Sequence, residues 1–295
     1  TITEKTGLPF ASVNPGVMHA CGHDAHTAAM LGTAMVLCEL REELAGSIKF
    51  IFQPAEEGPG GARPMIEEGV LEGVDAIIGA HVWQQYPVGK VAVRYGEAMA
   101  CLDSIDISIL GKGCHGAAPH QGVDAVAVAS QVVSALQTIA SREVNPVKPV
   151  VVTVGTINGG YAYNIIADEV AMKGTVRALD AELRQSMPER IERVIRGVTE
   201  GMRADYTFSY HFGYPPTVNN DEITAKVEKT LTRVFGTERM IRVPEPSMGG
   251  EDMAYYLEKI PGTYFFVGSS NPEKGIDSPG HKSTFDIDED AITIM

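Results

Sequence analysis

The stretch from about residue 100 to 212 restricts the fold more than any other part of the chain. Six segments follow one another there, each with a clear hydrophobic period. "SIDISIL" alternates strictly, "VDAVAVASQVVSALQTIAS" has helical spacing, and "PVVVTVGTI" and "DEVAMKGTVR" read as strands. "PERIERVIRGVTEGM" is helical again, and "DYTFSYHF" closes as a strand. The order β-α-β-β-α-β is the ferredoxin-like pattern. Alternating strands suit an antiparallel sheet with two helices over one face and the other face free. The expectation is therefore a compact unit at residues 100–212, inserted between two halves, 1–99 and 213–295, of a larger domain.

Those halves have a different texture. "AHTAAMLGTAMVLCELR" (25–41) is spaced as a helix, and "GSIKFIFQPAEEG" reads as a buried strand that ends at Pro54. "ARPMIEEGVLEG" is helix-like and leads to a second strand, "DAIIGAHVW"; "TYFFVGSS" is a third, late in the chain. This is β-α-β texture, which predicts an α/β domain with a mixed, largely parallel sheet flanked by helices. Such sheets place their sites outside the carboxyl ends of the strands.

Composition removes several function classes. With 295 residues, 44% hydrophobic and 21% charged, the chain can bury the cores of two domains. A formal net charge of −14, with no run of Lys or Arg, argues against a nucleic-acid partner. No apolar run reaches the roughly 18 to 20 residues that cross a bilayer, and no basic-then-apolar leader opens the chain. A cytoplasmic protein without a membrane partner is expected. The four cysteines, Cys21, Cys38, Cys101 and Cys114, contain no C-x-x-C pair, so reduced thiols are expected.

The densest chemistry is "MHACGHDAH", residues 18–26. Imidazole nitrogen and thiolate sulfur are ligands that zinc and its first-row neighbours prefer, and carboxylates complete such shells. On an irregular loop before a helix, Cys21 and His23 can converge on one ion, while His19 or His26 could simply cap or pack. Glu56-Glu57 follows an apolar run, His81 ends a strand, and His281 sits in the loop after the last strand. Donors at separate strand ends of one sheet are how multi-metal hydrolytic sites are assembled. The glutamate pair also suits a solvated turn. Its setting between "IKFIFQPA" and "GPGGA" favours chemistry, because one carboxylate can bind metal while the other takes a proton.

Seven motifs in order carry a resemblance: "GVMHACGHDAHTAAMLG", "FIFQPAEEGPGGA", "GAHVW", "GKGCHGAAPH", "NIIADEVAMKGTVR", "MGGEDMAYY" and "PGHKSTFDIDEDA". Across nearly the whole chain the sequence resembles the metal-dependent amidohydrolases that include hippurate hydrolase, N-acyl-L-amino-acid amidohydrolase and the auxin-conjugate hydrolases. They belong to the dinuclear aminoacylase and carboxypeptidase group. The resemblance implies metal ligands Cys21, His23, Glu57, His81 and His281, two divalent ions (Zn, Mn, Co or Ni) and Glu56 as general base. It also implies that the inserted unit is a lid that often mediates dimerisation, so a homodimer or higher homo-oligomer is expected. Family members carry an N-terminal segment and a final helix beyond these motifs, which implies that the 295 residues are a fragment. Asp24 and His26 are left as groups that orient the ligands.

The implied reaction is hydrolysis of the amide bond of a small N-acyl amino acid, with a carboxypeptidase or dipeptidase as the alternative. His115, in the lid motif, is the candidate donor to the oxyanion, and in relatives a lid histidine reaches the partner subunit's site. Asn164 can hold substrate. Arg177, on the charged side of an alternating strand, can form a fork with a free carboxylate or stand as a solvated sheet residue. Two departures from the family pattern are Cys114, where glycine is more usual before the histidine, and "IIADE", which lacks a proline after the isoleucines.

Two other classes compete. "GKGCHG" matches G-x-G-x-x-G after a strand, but Pro119 and "HQGVD" intervene before the helix and "VVVTVGTING" ends without an acidic residue, so dinucleotide binding fails on context. A non-catalytic metal- or peptide-binding module on the same fold is separated by whether Glu56 is needed for activity. Serine hydrolysis lacks a G-x-S-x-G elbow.

Overall fold

The computed structural model describes residues 2–295. Along the chain run α1 (His23–Glu39), α2 (Ala62–Glu67), β1 (Ile77–Pro87), β2 (Val91–Val93), β3 (Gly96–Met99), β4 (Leu102–Leu110), β5 (Cys114–His115), α3 (Ala125–Thr138), β6 (Val150–Gly159), β7 (Ile165–Ile166) and β8 (Glu169–Ala178). They are followed by α4 (Ala181–Gly201), β9 (Asp205–Tyr214), β10 (Thr217–Asn219), α5 (Asp221–Phe235), β11 (Met240–Arg242), α6 (Met253–Leu257), β12 (Gly262–Ser270) and α7 (Asp290–Ile294). Two compact units result. The first gathers the residues up to Gly96, Val218–Glu245 and Tyr255–Met295; the second gathers Glu97–Thr217 and Pro246–Ala254. The short piece 246–254 was expected with the outer halves. It groups with the second unit because the Ala100 N–H is shared between the carbonyls of Ser247 and Gly249, each at 3.0 Å.

In the second unit the four long strands form one antiparallel sheet in the order β6-β8-β4-β9. Counted along the chain this is second, third, first, fourth, the ferredoxin-like arrangement. The inward residues Ile105, Ile107 and Ile109 of β4 and Met172 and Val176 of β8 pack with Val128, Val132 and Leu136 of α3 and Met187, Ile191 and Ile195 of α4. Alternation in sequence is thus alternation between a covered and an open face. Asp103 is fully buried and satisfied four times: it accepts from Arg184 Nε (2.9 Å) and Nη2 (2.7 Å), the Tyr210 hydroxyl (2.8 Å) and the Gly213 N–H (2.9 Å). One expectation shifts here. The second helix begins at Ala181 rather than at Pro188, because Asp180 caps it by accepting from Leu183 N–H at 2.7 Å and Leu183 and Met187 are buried beneath its first turns.

In the first unit the sheet order is β1-β12-β2-β11, with β1/β12 and β2/β11 parallel and β12/β2 antiparallel. The sheet is mixed and largely parallel, as expected. Every residue of β12 is buried, which explains why "TYFFVGSS" shows no alternation. The core joins Val82, Val91, Val93, Phe265 and Val267 to Val227 of α5 and Ala291 of α7. α5 had not been read from the sequence. Its signal was there: Asn220 accepts from Ile223 N–H, and Ile223, Val227 and Leu231 recur at helical spacing.

The buried strand expected to end at Pro54 is not formed. Residues 47–55 make no strand ladder, and Ile48 and Phe52 are each 48% exposed. A short apolar run becomes a strand only where another strand lies beside it, and β1, at the sheet edge, pairs with β12 alone. Among the described residues no helix is long and apolar enough to cross a membrane.

Candidate metal centre

Four segments of the first unit build the cluster. Cys21 and His23 straddle Gly22, which stands at φ 81° immediately before α1. A Cβ on Gly22 would lie 2.4 Å from Val82 Cγ2, so glycine is required both by conformation and by the close approach of β1. His23 and His26, three residues apart on the first turn of α1, share a side of the helix. His81 comes from β1. Glu56 and Glu57 sit on a tight turn in which Ala55, at φ 64°, accepts from the N–H groups of Gly58 and Gly60. His281 is also left-handed, at φ 63°, and its N–H donates to Ala20 O at 2.7 Å, which ties its loop to the residue before Cys21. Non-glycine residues at positive φ carry strain, and two of them border the same cluster.

The side chains converge. Cys21 Sγ is 3.5 Å from His81 Nε2, and His281 Nε2 is 2.9 Å from Glu57 Oε1. His23 Nε2 lies 3.8 Å from Glu56 Oε2 and 3.9 Å from Glu57 Oε1. Within the first unit three sets of donor atoms each fall within 4.8 Å of one another: Cys21, His23 and His81; Cys21, Glu57 and His281; His23, Glu56 and Glu57. The first two sets have only Cys21 in common. His281 and Glu57 remain substantially exposed, so the cluster opens to solvent on that side.

The protonation states suit cation binding. Burial lowers the pKa of His23, and it pulls His81 down to about 4. His26 is pushed far below the usual imidazole value by the same desolvation and by the neighbouring His81. All three rings are therefore neutral near pH 7, the form that offers lone pairs. The contact of His81 Nδ1 with Val82 O fixes the tautomer, since a carbonyl can only accept: Nδ1 carries the proton and Nε2 presents its lone pair beside Cys21. One sulfur, three imidazole nitrogens and one or two carboxylates make a mixed soft and hard donor set that fits a first-row divalent ion.

The remaining candidates lie in the second unit. β5 and β7 pair Cys114 with Ile166 and His115 with Ile165, and Gly116 N–H donates to Asn164 O at 2.7 Å, so a small two-stranded ladder brings His115 and Asn164 together from distant parts of the chain. A Cβ on Gly116 would come within 2.9 Å of that oxygen, which accounts for the glycine after His115. The His115 ring is exposed and its Nδ1 accepts from Ala117 N–H at 3.0 Å, leaving Nε2–H free to donate. Arg177, on β8, is half-buried; its Nη1 is buried without a hydrogen-bond partner, and desolvation lowers its pKa.

Comparison with known proteins places this cluster in context. The sequence matches the peptidase family M20/M25/M40 over residues 1–294. It is 44% identical to an N-acetyl-L-cysteine deacetylase of Bacillus subtilis over 99% of this chain and 68% of that protein. It is 41% identical to thermostable carboxypeptidase 1 of Saccharolobus solfataricus over 99% of this chain and 74% of that one. The structure of a Bacillus subtilis protein described as a dinuclear metal binding peptidase from the M20 family superposes with a TM-score of 0.83 at 38% identity, covering 99% of this chain and 74% of that one. With the matched range spanning both units, the chain belongs to the peptidase family M20/M25/M40 and is a hydrolytic enzyme.

Proposed function

We propose that the chain is a metal-dependent amidohydrolase that cleaves the amide bond of N-acyl amino acids. The observation that carries the reading is the pair of three-donor sets, Cys21 with His23 and His81, and Cys21 with Glu57 and His281. Each set would hold one divalent ion, with Cys21 belonging to both sets. Such ions supply Lewis acidity, which polarises an acyl carbonyl and acidifies a water. Glu56 is the general base: it takes the proton of the attacking water and delivers it to the departing amide nitrogen, which leaves poorly unless protonated. His115 donates through Nε2–H to the oxyanion that develops on the acyl oxygen. Arg177 pairs with the free carboxylate of the amino acid, and Asn164 holds the substrate. The second unit mediates a homodimer, and His115 serves the partner subunit's site.

The named relatives support amide or peptide cleavage, one being a deacetylase and one a carboxypeptidase. The test is a panel of N-acetyl, N-benzoyl and N-succinyl amino acids and of dipeptides, assayed with metal-reconstituted protein and the variants Glu56→Gln and Glu57→Gln. Glu56→Gln should lower kcat by roughly a hundred- to ten-thousandfold with metal content unchanged. Glu57→Gln should lose metal as well. Turnover of peptides alone would move the assignment to a carboxypeptidase or dipeptidase, and full activity in Glu56→Gln would end the enzymatic role given to that residue.

A further inference from the structure

His26 is the half-buried imidazole of the cluster that the proposed reaction leaves without a task. Its Nε2 lies 3.0 Å from the backbone nitrogen of Val82. A peptide nitrogen can only donate, so His26 Nε2 is the acceptor and its lone pair is already engaged. The ring stands edge to face with His81, centroids 4.4 Å apart at 71°. Val82 therefore gives its N–H to His26, while its carbonyl receives Nδ1–H from His81. One peptide residue is gripped by two histidines, one as acceptor and one as donor. The place matters because, among the described residues, β1 is an edge strand paired with β12 alone. A backbone N–H on such an edge needs a partner from elsewhere.

We propose that His26 is a positioning residue: it clamps Val82 on the free edge of β1 and so aims His81 Nε2 at Cys21, without itself binding metal. The proposal rests on the reading of the cluster as a metal centre. His26 is three residues from His23 on α1, so the clamp also fastens the helix that starts beside Cys21 to the strand that carries His81. A ligand role for His26 Nε2 would require Val82 N–H to lose its acceptor.

The chemistry of the clamp is a single acceptor at a fixed distance from the backbone. A glutamine Oε1 reaches about as far as a histidine Nε2 and accepts equally well, whereas phenylalanine keeps the ring and removes the acceptor. The test titrates the metal-stripped full chain with Zn2+ against a chromophoric chelator, for the wild type, His26→Gln and His26→Phe. His26→Phe should bind roughly ten- to a hundredfold more weakly, the usual cost of losing a group that orients a ligand, and His26→Gln should stay within about threefold of the wild type. Amide exchange at Val82 should quicken in His26→Phe only. Unchanged affinity in His26→Phe, or equal loss in both variants, overturns the proposal.

The wild-type protein gives a reading that no variant's folding can spoil. Imidazole 15N spectra should show His26 as the Nδ1–H tautomer with Nε2 unprotonated, and neither nitrogen should acquire a metal-dependent shift as Zn2+ is added. A metal-induced shift at His26 comparable to that at His81 makes His26 a ligand and overturns the proposal. Absence of Zn2+ binding by the wild type would instead remove the metal-centre reading itself, so the two failures are distinguishable.

Discussion

Cys21 Sγ and His81 Nε2, sixty positions apart in sequence, stand 3.5 Å from each other. The imidazole proton is on Nδ1, held by Val82 O, so the near nitrogen presents a lone pair to the sulfur. Such a pair is useful mainly when a cation lies against both. Cys21→Ser should therefore weaken metal retention by more than roughly tenfold, because a serine hydroxyl is a poorer ligand than a thiolate for first-row metals. Cys38→Ser, on the exposed side of α1, should leave it unchanged. Elemental analysis after gel filtration checks both.

Arg177 has a buried guanidinium nitrogen that no group among the described residues satisfies. Leaving a charged donor unpaired is costly, and a substrate carboxylate would remove that cost. Arg177→Ala should lower kcat/KM for N-acyl amino acids by roughly ten- to a hundredfold while sparing their amides and esters. Arg177→Lys should restore little, since lysine lacks the planar fork. Equal loss on acids and amides would return Arg177 to a purely structural place in β8.

His115 is exposed, with Nδ1 engaged by Ala117 N–H and Nε2–H free. His115→Ala should lower kcat by roughly a hundred- to a thousandfold, the cost of one lost oxyanion donor. Its assignment to the partner's site is read by subunit exchange. Homodimers of His115→Ala and of Glu56→Gln should each be nearly inactive, whereas mixing them should create one site with both groups intact. No recovery on mixing would place His115 in its own subunit's site.

Asp103 and Arg184 form a buried, doubly hydrogen-bonded pair further anchored by Tyr210 and Gly213. Arg184→Met strands the carboxylate without its counter-charge and should destabilise the protein by about 3 to 5 kcal/mol in urea unfolding. The double variant Asp103→Leu/Arg184→Met removes both charges and should lose much less. A double variant as unstable as the single one would show that packing, rather than an uncompensated charge, sets the loss.

The second unit was the most legible part of the sequence, because each of its strands has one covered and one open face and so writes its orientation into every second residue. "SIDISIL" is such a case: Ile105, Ile107 and Ile109 all lie in the core. The stretch "IKFIFQPA" was misread for the opposite reason, since an apolar run states a preference for burial but not the presence of a partner strand. In the candidate metal centre, residue types pointed to Cys21, His23, Glu56, Glu57, His81 and His281, which the first unit brings into one cluster. The strand-end argument does not hold, since no strand precedes Glu56 and His81 is the fifth of the eleven residues of β1 rather than its end. What spacing could not reveal was the division of labour among the histidines. His26 was left as a group that caps, packs or orients the ligands, and the Val82 N–H, donated to His26 Nε2, shows where its lone pair is spent.

The parallel register of β1 against β12, with His81 opposite Phe266 and Val82 opposite Val267, has a consequence for how this sequence can vary in length. Side chains on a strand change face at every residue. A single residue deleted between Ile77 and His81 would turn His81 away from Cys21 and put Val82 in its place, and a single inserted one would put Ala80 there. The strand can absorb many substitutions but no change of length. Among relatives of this chain, gaps should therefore be missing from the first five residues of β1.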